Sequence, residues 1–189
     1  MYVTLDSFLR YQGITFPSDE QRLLIEECLE AAQAFIESPS GAERLFQAEE
    51  AEIEVFEPNG RSLKIDDDLD LCEIVSIKVS GVDDESFAVA LPPAAFKTKP
   101  RRKAPFFAVE RRGKVWERFV WIEGFWAYSK EPPAQIAHAT KRLAAYFYRQ
   151  KDTQQGIDGP VVMQSGAMIM PSAVPSDVMK MLYPYRKRL

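Results

Sequence analysis

The densest group of potential metal ligands in this 189-residue sequence is an acidic run near its middle. Asp66, Asp68 and Asp70 have the alternate spacing with which a calcium-binding loop opens. Leu71 stands where such a loop needs its turn glycine, and Ile77 stands where it needs a bidentate glutamate. The match fails at two positions, which favours a polar turn between two strands over a metal site.

Few other residues have the chemistry that catalysis requires. His138 is the only histidine, and Cys28 and Cys72 are the only cysteines. Two cysteines support neither a disulfide framework nor a Cys-based zinc site, and a Ser-His-Asp device needs a histidine in a pocket beside an exposed nucleophile. The sequence also lacks G-x-S-x-G, the P-loop and G-x-G-x-x-G. We therefore expect no enzymatic activity, no cofactor and no bound metal, and a structural or interaction role.

A short basic run covers residues 97–103 (KTKPRRK), with five basic residues in seven. Such a run can contact phosphates. It has no interleaved aromatic residues for base stacking, and the chain as a whole is acidic, with a net charge of −4. This pattern is more typical of a solvated loop than of a dedicated nucleic-acid site.

The net charge hides a strong asymmetry between the two halves of the chain. Residues 1–100 carry 8 Lys/Arg and 21 Asp/Glu, a net charge of −13, whereas residues 101–189 carry 16 and 7, a net charge of +9. The split suggests head-to-tail contact between copies, with acidic residues 49–85 facing basic residues 97–118 of a neighbour, or two partners of opposite charge. The alternative is that the surfaces simply carry different charges. The predicted subunit-interface residues are Glu50, Glu52, Glu54, Asp66, Asp68, Arg101, Arg102, Arg111 and Arg112.

Composition is ordinary for a globular protein, at 46% apolar and 28% charged residues. The length suits one domain, or one domain with a subdomain. The start of the chain has no basic segment followed by an apolar one, and no apolar run approaches about 20 residues. We therefore expect a protein without a signal peptide or a membrane span, which stays in the cytoplasm where it is made.

Three helices are predicted, at residues 4–12, 18–37 and 133–151. Thr4 and Ser18 are N-cap residues, and Gln21 completes a capping box with Ser18. Apolar residues recur at spacings of three and four in the two long helices, so these stripes should pack together. The predicted contact joins Ile25, Cys28, Ala32 and Phe35 to Ile136, Leu143 and Phe147.

Between the helices, residues 45–128 predict a β region of about six strands. Ile53 and Val55 alternate with glutamates, which indicates a half-buried strand. A three-residue loop at Pro58–Gly60 would then pair Val55 with Leu63, and a two-residue loop would pair it with Lys64. Further strands are expected at 74–79, 87–91, 106–111 and 115–122, with a turn at Arg112-Gly113 between the last two and irregular chain at 97–105.

The last segment, residues 157–189, has many prolines and methionines and little periodicity, apart from one possible short helix at 175–182. Its apolar content would be a hazard if exposed, so it should be buried against a partner, or else fold back over the chain's own β region. Tyr and Arg are enriched among interface hot spots. The predicted docking residues are Tyr183, Tyr185, Arg186, Lys187, Arg188, Met179 and Leu182.

The order of elements resembles the head–tail connector (adaptor) proteins of tailed bacteriophages and related prophage elements. The resemblance rests on loose motifs that follow one another along most of the chain. They are VTL at residues 3–5, WIEGFWAYS at 121–129, AAYFYR at 144–149, VPSDV at 174–178 and LYPYR at 182–186. The long β region departs from the smaller members of that family, which are nearly all helical.

The pattern of helices and strands predicts an α+β fold in which the N-terminal helices and a long C-terminal helix pack together, with an inserted antiparallel β region. It predicts one domain over residues 1–156 and an extended docking arm over 157–189. The resemblance implies a ring, a dodecamer in the virion, seated on the portal protein at the head–tail interface and assembled in the host bacterial cytoplasm. The ring would pass DNA through its lumen without sequence-specific binding and receive the next neck or tail protein.

Two other functions stay open from the sequence. One is another neck protein, a stopper or tail-completion protein, although the two long helices argue against these mostly β proteins. The other is a small hydrolase that uses the acidic run. Changing Asp66, Asp68 and Asp70 together to Ala separates the classes, because a connector should still assemble into virions.

Overall fold

The computed structural model describes residues 1–66, 69–153, 161–162, 168–169 and 174–187. The chain divides into two compact units, and the second is inserted into the first. The helical unit contains Met1–Glu43 and Ala134–Leu189, and the β unit contains Arg44–Pro133. The α+β fold with an inserted antiparallel β region is therefore as predicted. The predicted boundary of the docking arm, at residue 156, lies outside the described residues.

The helical unit is built from α1 (Leu5–Gln12), α2 (Asp19–Glu37), α3 (Ala134–Thr153) and α4 (Ser176–Leu182). The Thr4 hydroxyl accepts a hydrogen bond from the Ser7 amide, and Ser18 and Gln21 form the predicted capping box. These local bonds satisfy backbone donors that the first helical turn would leave unpaired. Two short strands, β8 (Val161–Val162) and β9 (Met168–Ile169), pair with each other.

The helix α2 packs against α3, as the two apolar stripes predict. The buried residues at this contact are Ile25, Cys28, Leu29, Ala32 and Ile36 of α2 and Ile136, Ala139 and Leu143 of α3. Phe35 and Phe147, which were expected in the same contact, are only half-buried. Ile36 and Leu143, which lie close to them on the same helices, are fully buried, so the buried face of each helix covers only part of each phenylalanine ring.

The helix α4 packs on α3 within the same unit. Val178 and Leu182 are fully buried, and Met179 is half-buried. The Arg142 guanidinium on α3 binds the Asp177 carboxylate, at 2.9 Å from Nε and 2.5 Å from Nη2. Residues 174–187 of the predicted arm are thus part of the helical unit.

The β unit contains two antiparallel sheets. One has four strands in the order β1 (Glu52–Phe56), β7 (Phe119–Phe125), β3 (Glu73–Ser80) and β4 (Val89–Ala90). The other has three in the order β2 (Ser62–Lys64), β6 (Ala108–Arg111) and β5 (Phe96–Lys99). Both sheets contribute to one buried cluster, which contains Phe56, Leu63, Ile65, Leu71, Ile77, Val79, Val109, Trp116, Val120, Ile122 and Trp126.

The predicted hairpin around Pro58–Gly60 is wrong. The strand β1 pairs with β7, so that Val55 lies opposite Trp121, and β2 pairs with β6, so that Leu63 lies opposite Val109. The loop therefore connects two sheets instead of closing one. Ile53 and Val55 are exposed at 46% and 48%, because Phe56 is the residue of β1 that enters the core.

Three further predictions about the β region need correction. The strands β6 and β7 lie in different sheets, so Arg112-Gly113 is not a hairpin turn between them. The segment expected to be irregular contains β5, which pairs with β6 along its whole length. The strand predicted at 87–91 shrinks to the two residues of β4, after a 3-10 turn at Glu85–Phe87. The pairings of β2 with β6 and of β3 with β7 join strands that are distant in sequence, and local turn signals do not specify them.

Candidate interface surfaces

The predicted acidic interface follows β1, which is an edge strand of the four-stranded sheet. Glu50 and Glu52 are exposed and Glu54 is half-buried. Charged side chains on an edge strand disfavour indiscriminate pairing with other chains. Asp66 is exposed as well, whereas Asp68 lies outside the described residues.

The acidic run around Asp66 engages the chain's own residues. The Leu69 amide donates to the Asp66 carbonyl over 3.0 Å, which agrees with the predicted turn. The Asp70 carboxylate lies 3.4 Å from Nε of Arg44, and that guanidinium also lies over the Tyr128 ring at 5.4 Å. Asp70 therefore pairs with a cation inside the β unit.

Three of the four predicted basic residues, Arg101, Arg111 and Arg112, line a cleft on the outer side of the three-stranded sheet. Leu63 and Val109 point into the core, so the residues next to them in β2 and β6 point outward. The cleft has a volume of about 570 Å³. We call it the basic cleft, and it is lined by Arg61, Ser62, Lys97, Arg101, Glu110, Arg111, Arg112 and Gly113.

Glu110 is the carboxylate among these lining residues, and lysines surround it. Lys97 forms an ion pair with Glu110 at 2.6 Å, and Lys99 binds its other carboxylate oxygen. The hydrogen bonds from Lys97 and then from Lys99 lower the pKa of Glu110 below its ordinary value. Four accessible cationic residues, Arg61, Lys97, Arg101 and Arg112, against this one carboxylate give the cleft a positive field.

Arg111 does not serve as the exposed interface cation that the sequence suggested. Its side chain is 7% exposed, lies over the Trp116 ring at 5.6 Å and pairs with Glu117 at 3.4 Å. It points to the inner side of β6, as does Val109 two residues before it. Arg101, Arg102 and Arg112 are exposed and remain available to a partner.

A surface that the sequence prediction missed lies between β3 and β4. We call residues 82–89 the β3–β4 tip. Val82, Phe87 and Val89 expose 53%, 70% and 66% of their area there, beside the exposed acids at 83–85. The sequence pattern predicts a strand at 87–91, which includes Phe87 and Val89, and it gives no prediction that these side chains are exposed.

The end of the helical unit forms another candidate surface. Tyr183 is 75% exposed directly after α4, whereas Tyr185 is half-buried. The Arg186 guanidinium donates to the Pro39 carbonyl over 3.1 Å, and the Lys187 amide donates to the Ala42 carbonyl over 3.4 Å. A depression of about 520 Å³ lies between these residues and the end of α2.

The structure divides the predicted docking residues into two groups. Tyr183 and Arg186 are exposed and can contact a partner. Leu182 is fully buried, so it holds α4 in place and is not a surface anchor. Arg188 lies outside the described residues. The guanidinium bond of Arg186 and the backbone bond of Lys187 hold the chain after Tyr183 against the segment that follows α2.

The potential catalytic side chains are dispersed. The His138 ring packs edge-on against Tyr11 at 5.9 Å, as an ordinary helix residue does. Burial, and then the charge of Glu73, raises the pKa of the Cys72 thiol above its ordinary value. Within the described ranges, no three His, Cys, Asp or Glu side chains form a group that could hold a metal ion. The described helices include none with the length and apolarity needed to cross a membrane.

Neither family models nor curated proteins give a match to this chain. The solved structures that are similar to it include two phage-like necks. One is the neck of an empty GTA particle computed with C6 symmetry, where the match covers 100% of this chain and 91% of the other, with TM-score 0.60 and 14% identity. The second is the neck of a native GTA particle computed with C12 symmetry, with 87% and 82% coverage, TM-score 0.52 and 16% identity. At these identities the likeness concerns the fold.

Proposed function

We propose that this protein is a structural subunit of the neck of a tailed phage or related particle, and within the neck the head–tail connector (adaptor). The observation that carries the proposal is the fold likeness to GTA neck structures, which extends over 100% of this chain and 91% of the matched one. The resemblance of the sequence motifs to connector proteins points the same way. The two long helices favour an adaptor over the mostly β stopper and tail-completion proteins.

The proposed assembly is a closed ring of identical subunits, a dodecamer in the virion. A heterologous contact needs two different, complementary surfaces on each copy, which close into a ring when repeated. The β unit carries both: acids along β1 and the β3–β4 tip, and cations around the basic cleft. DNA would pass through the lumen without sequence-specific contacts.

The proposed portal-binding surface is the end of the helical unit after α4. Tyr183 combines an apolar ring with a polar tip and is largely exposed, which suits an interface anchor. Arg186, Lys187 and Arg188 would contact acidic groups at the rim of the portal's groove. The opposite face of the ring would receive the next neck or tail protein.

Co-expression with the portal protein of the same particle tests the proposal. The wild-type chain should co-purify with the portal and appear as a ring by negative-stain electron microscopy. The double variant Tyr183→Ser with Arg186→Glu should stay folded, by circular dichroism, and lose the portal. Lys180→Ala, which alters an exposed residue on the adjoining helix, is the matched control. A wild-type chain that neither binds the portal nor forms rings would refute the connector assignment.

A further inference from the structure

The β3–β4 tip presents apolar surface in an unusual setting. Phe87 is 70% exposed, and Val82 and Val89 flank it. Scattered apolar residues are common on protein surfaces, but three large ones within eight residues form a patch. Asp83 and the two acids after it give the same patch a negative charge.

Hydrogen bonds hold the β3–β4 tip in one conformation. The Asp84 carboxylate accepts from the Ser86 amide at 2.9 Å and from the Ser86 hydroxyl at 2.6 Å. These bonds lower the pKa of Asp84, which therefore stays ionised. Lys78 on β3 pairs with Glu85 at 2.8 Å. A surface that is already ordered loses little conformational entropy on binding, so this arrangement favours recognition by a partner.

The basic cleft has the charge that this tip requires. Four of its cations, Arg61, Lys97, Arg101 and Arg112, are accessible around a volume of about 570 Å³. Guanidinium groups also bind aromatic faces, as Arg118 does over Phe119 at 5.1 Å within this chain. An arginine-lined cleft can therefore receive both the carboxylates and the phenyl ring.

The β3–β4 tip does not bind the basic cleft of its own copy. The tip extends the edge strand β4 of one sheet, whereas the cleft lies on the outer side of the other sheet. Phe87 is exposed in the isolated chain, so its own cleft does not cover it. A second copy supplies the same cleft in a different place.

We propose that the β3–β4 tip of one copy seats in the basic cleft of the next copy, with Phe87 as the apolar anchor and Asp83 facing Arg112. This inference rests on the proposed ring and specifies which surfaces form its subunit contact. The acidic side of the subunit contact, which the sequence placed within residues 49–85, is thereby located at residues 82–89. The glutamates of β1 take no part in this contact.

Cross-linking between two different single-cysteine variants tests the contact. Gly81→Cys and Lys114→Cys are each made in a Cys72→Ser background, and the remaining Cys28 is buried. Both positions are exposed and lie two residues from Asp83 and Arg112, so the cysteines flank the proposed contact without removing Phe87 or either charge. The two variants are mixed and treated with a short bis-maleimide reagent. The proposed contact places residue 81 of one copy near residue 114 of another, so dimers should form in the mixture at about ten times the yield of either variant alone. In the control mixture, Leu23→Cys, at an exposed position of α2, replaces Lys114→Cys.

Charge reversal gives an independent readout. Asp83→Lys and Arg112→Glu should each weaken association about tenfold, since a like-charge contact replaces an attractive one. A mixture of the two variants should restore association in part. Where the two variants meet, the new lysine at position 83 of one copy faces the new glutamate at position 112 of the other, and this contact is attractive again. Glu20→Lys on α2 changes the net charge equally and should leave association unchanged.

The outcomes separate this contact from the ring itself. If wild-type rings form, but Gly81→Cys cross-links no better to Lys114→Cys than to Leu23→Cys, the contact is wrong and the ring stands. If mass photometry shows only monomers of the wild-type chain, with and without the portal, both the ring and the contact are overturned.

Discussion

Leu182→Ala should destabilise the end of the helical unit, although Leu182 lies in a segment that the sequence pattern assigns to a docking arm. The side chain is fully buried where α4 packs on α3. Removing a buried leucine side chain costs about 2–5 kcal/mol, through lost burial and the cavity left behind. A mid-range loss of about 3 kcal/mol corresponds to a fall in Tm of roughly 6–12 °C for a chain of this size.

Hydrogen exchange measured by mass spectrometry is the more direct assay for this variant. A loss of about 3 kcal/mol should raise exchange in Ser176–Leu182 by about two orders of magnitude, whether α4 detaches alone or the whole unit unfolds. Lys180→Ala removes an exposed side chain from the same helix and should change stability by less than about 0.5 kcal/mol. Equal exchange in Leu182→Ala and Lys180→Ala would refute the packing of α4 on α3.

Three other changes test separate parts of the fold. Gly124→Ala should destabilise the β unit, because the added Cβ would lie 2.6 Å from the Glu73 carbonyl oxygen; an unchanged denaturant midpoint would contradict this. Phe147→Ala should lower the free energy of unfolding by less than the about 3–5 kcal/mol of a fully buried phenylalanine, since its ring is half-buried, and urea titration measures the difference. Arg142 lowers the pKa of Asp177, so this pair stabilises the fold above about pH 3.9 and the contribution disappears as the pH falls through the lower folded-state pKa. The Asp177→Asn variant should lack this loss of stability on acidification. Identical acid-unfolding curves for the wild-type protein and the variant would contradict the prediction.

The helices could be predicted from the sequence to within a residue or two. Thr4 and Ser18 bond to amides three residues later, so the beginning of each helix depends on a few adjacent residues. The α2–α3 contact was also predictable, because each apolar stripe needs cover and these are the two longest stripes. The exceptions are Phe35 and Phe147, which are only half-buried because the apolar stripes do not specify how the packed helices cover each ring.

The candidate surfaces could be predicted only in part. The sequence located the acids near β1 and the arginines at 101, 102 and 112, since charge is a property of composition. It misassigned Arg111 and Leu182, because the burial of a side chain depends on what the fold packs against it. It also missed the β3–β4 tip, where exposure of Phe87 results from the shortness of β4.

By itself, the sequence determined the element types, the division into helices around a β region, and the separation of negative from positive charge. Those follow from local hydrogen bonding, from apolar periodicity and from the count of ionised groups. The tertiary structure alone decided the strand partners, since Glu52 pairs with Gly124 across 72 positions of sequence. Such pairing depends on the joint burial of Phe56, Val120 and Ile122 with residues of the other sheet, and no turn signal at Pro58–Gly60 or Arg112-Gly113 encodes it.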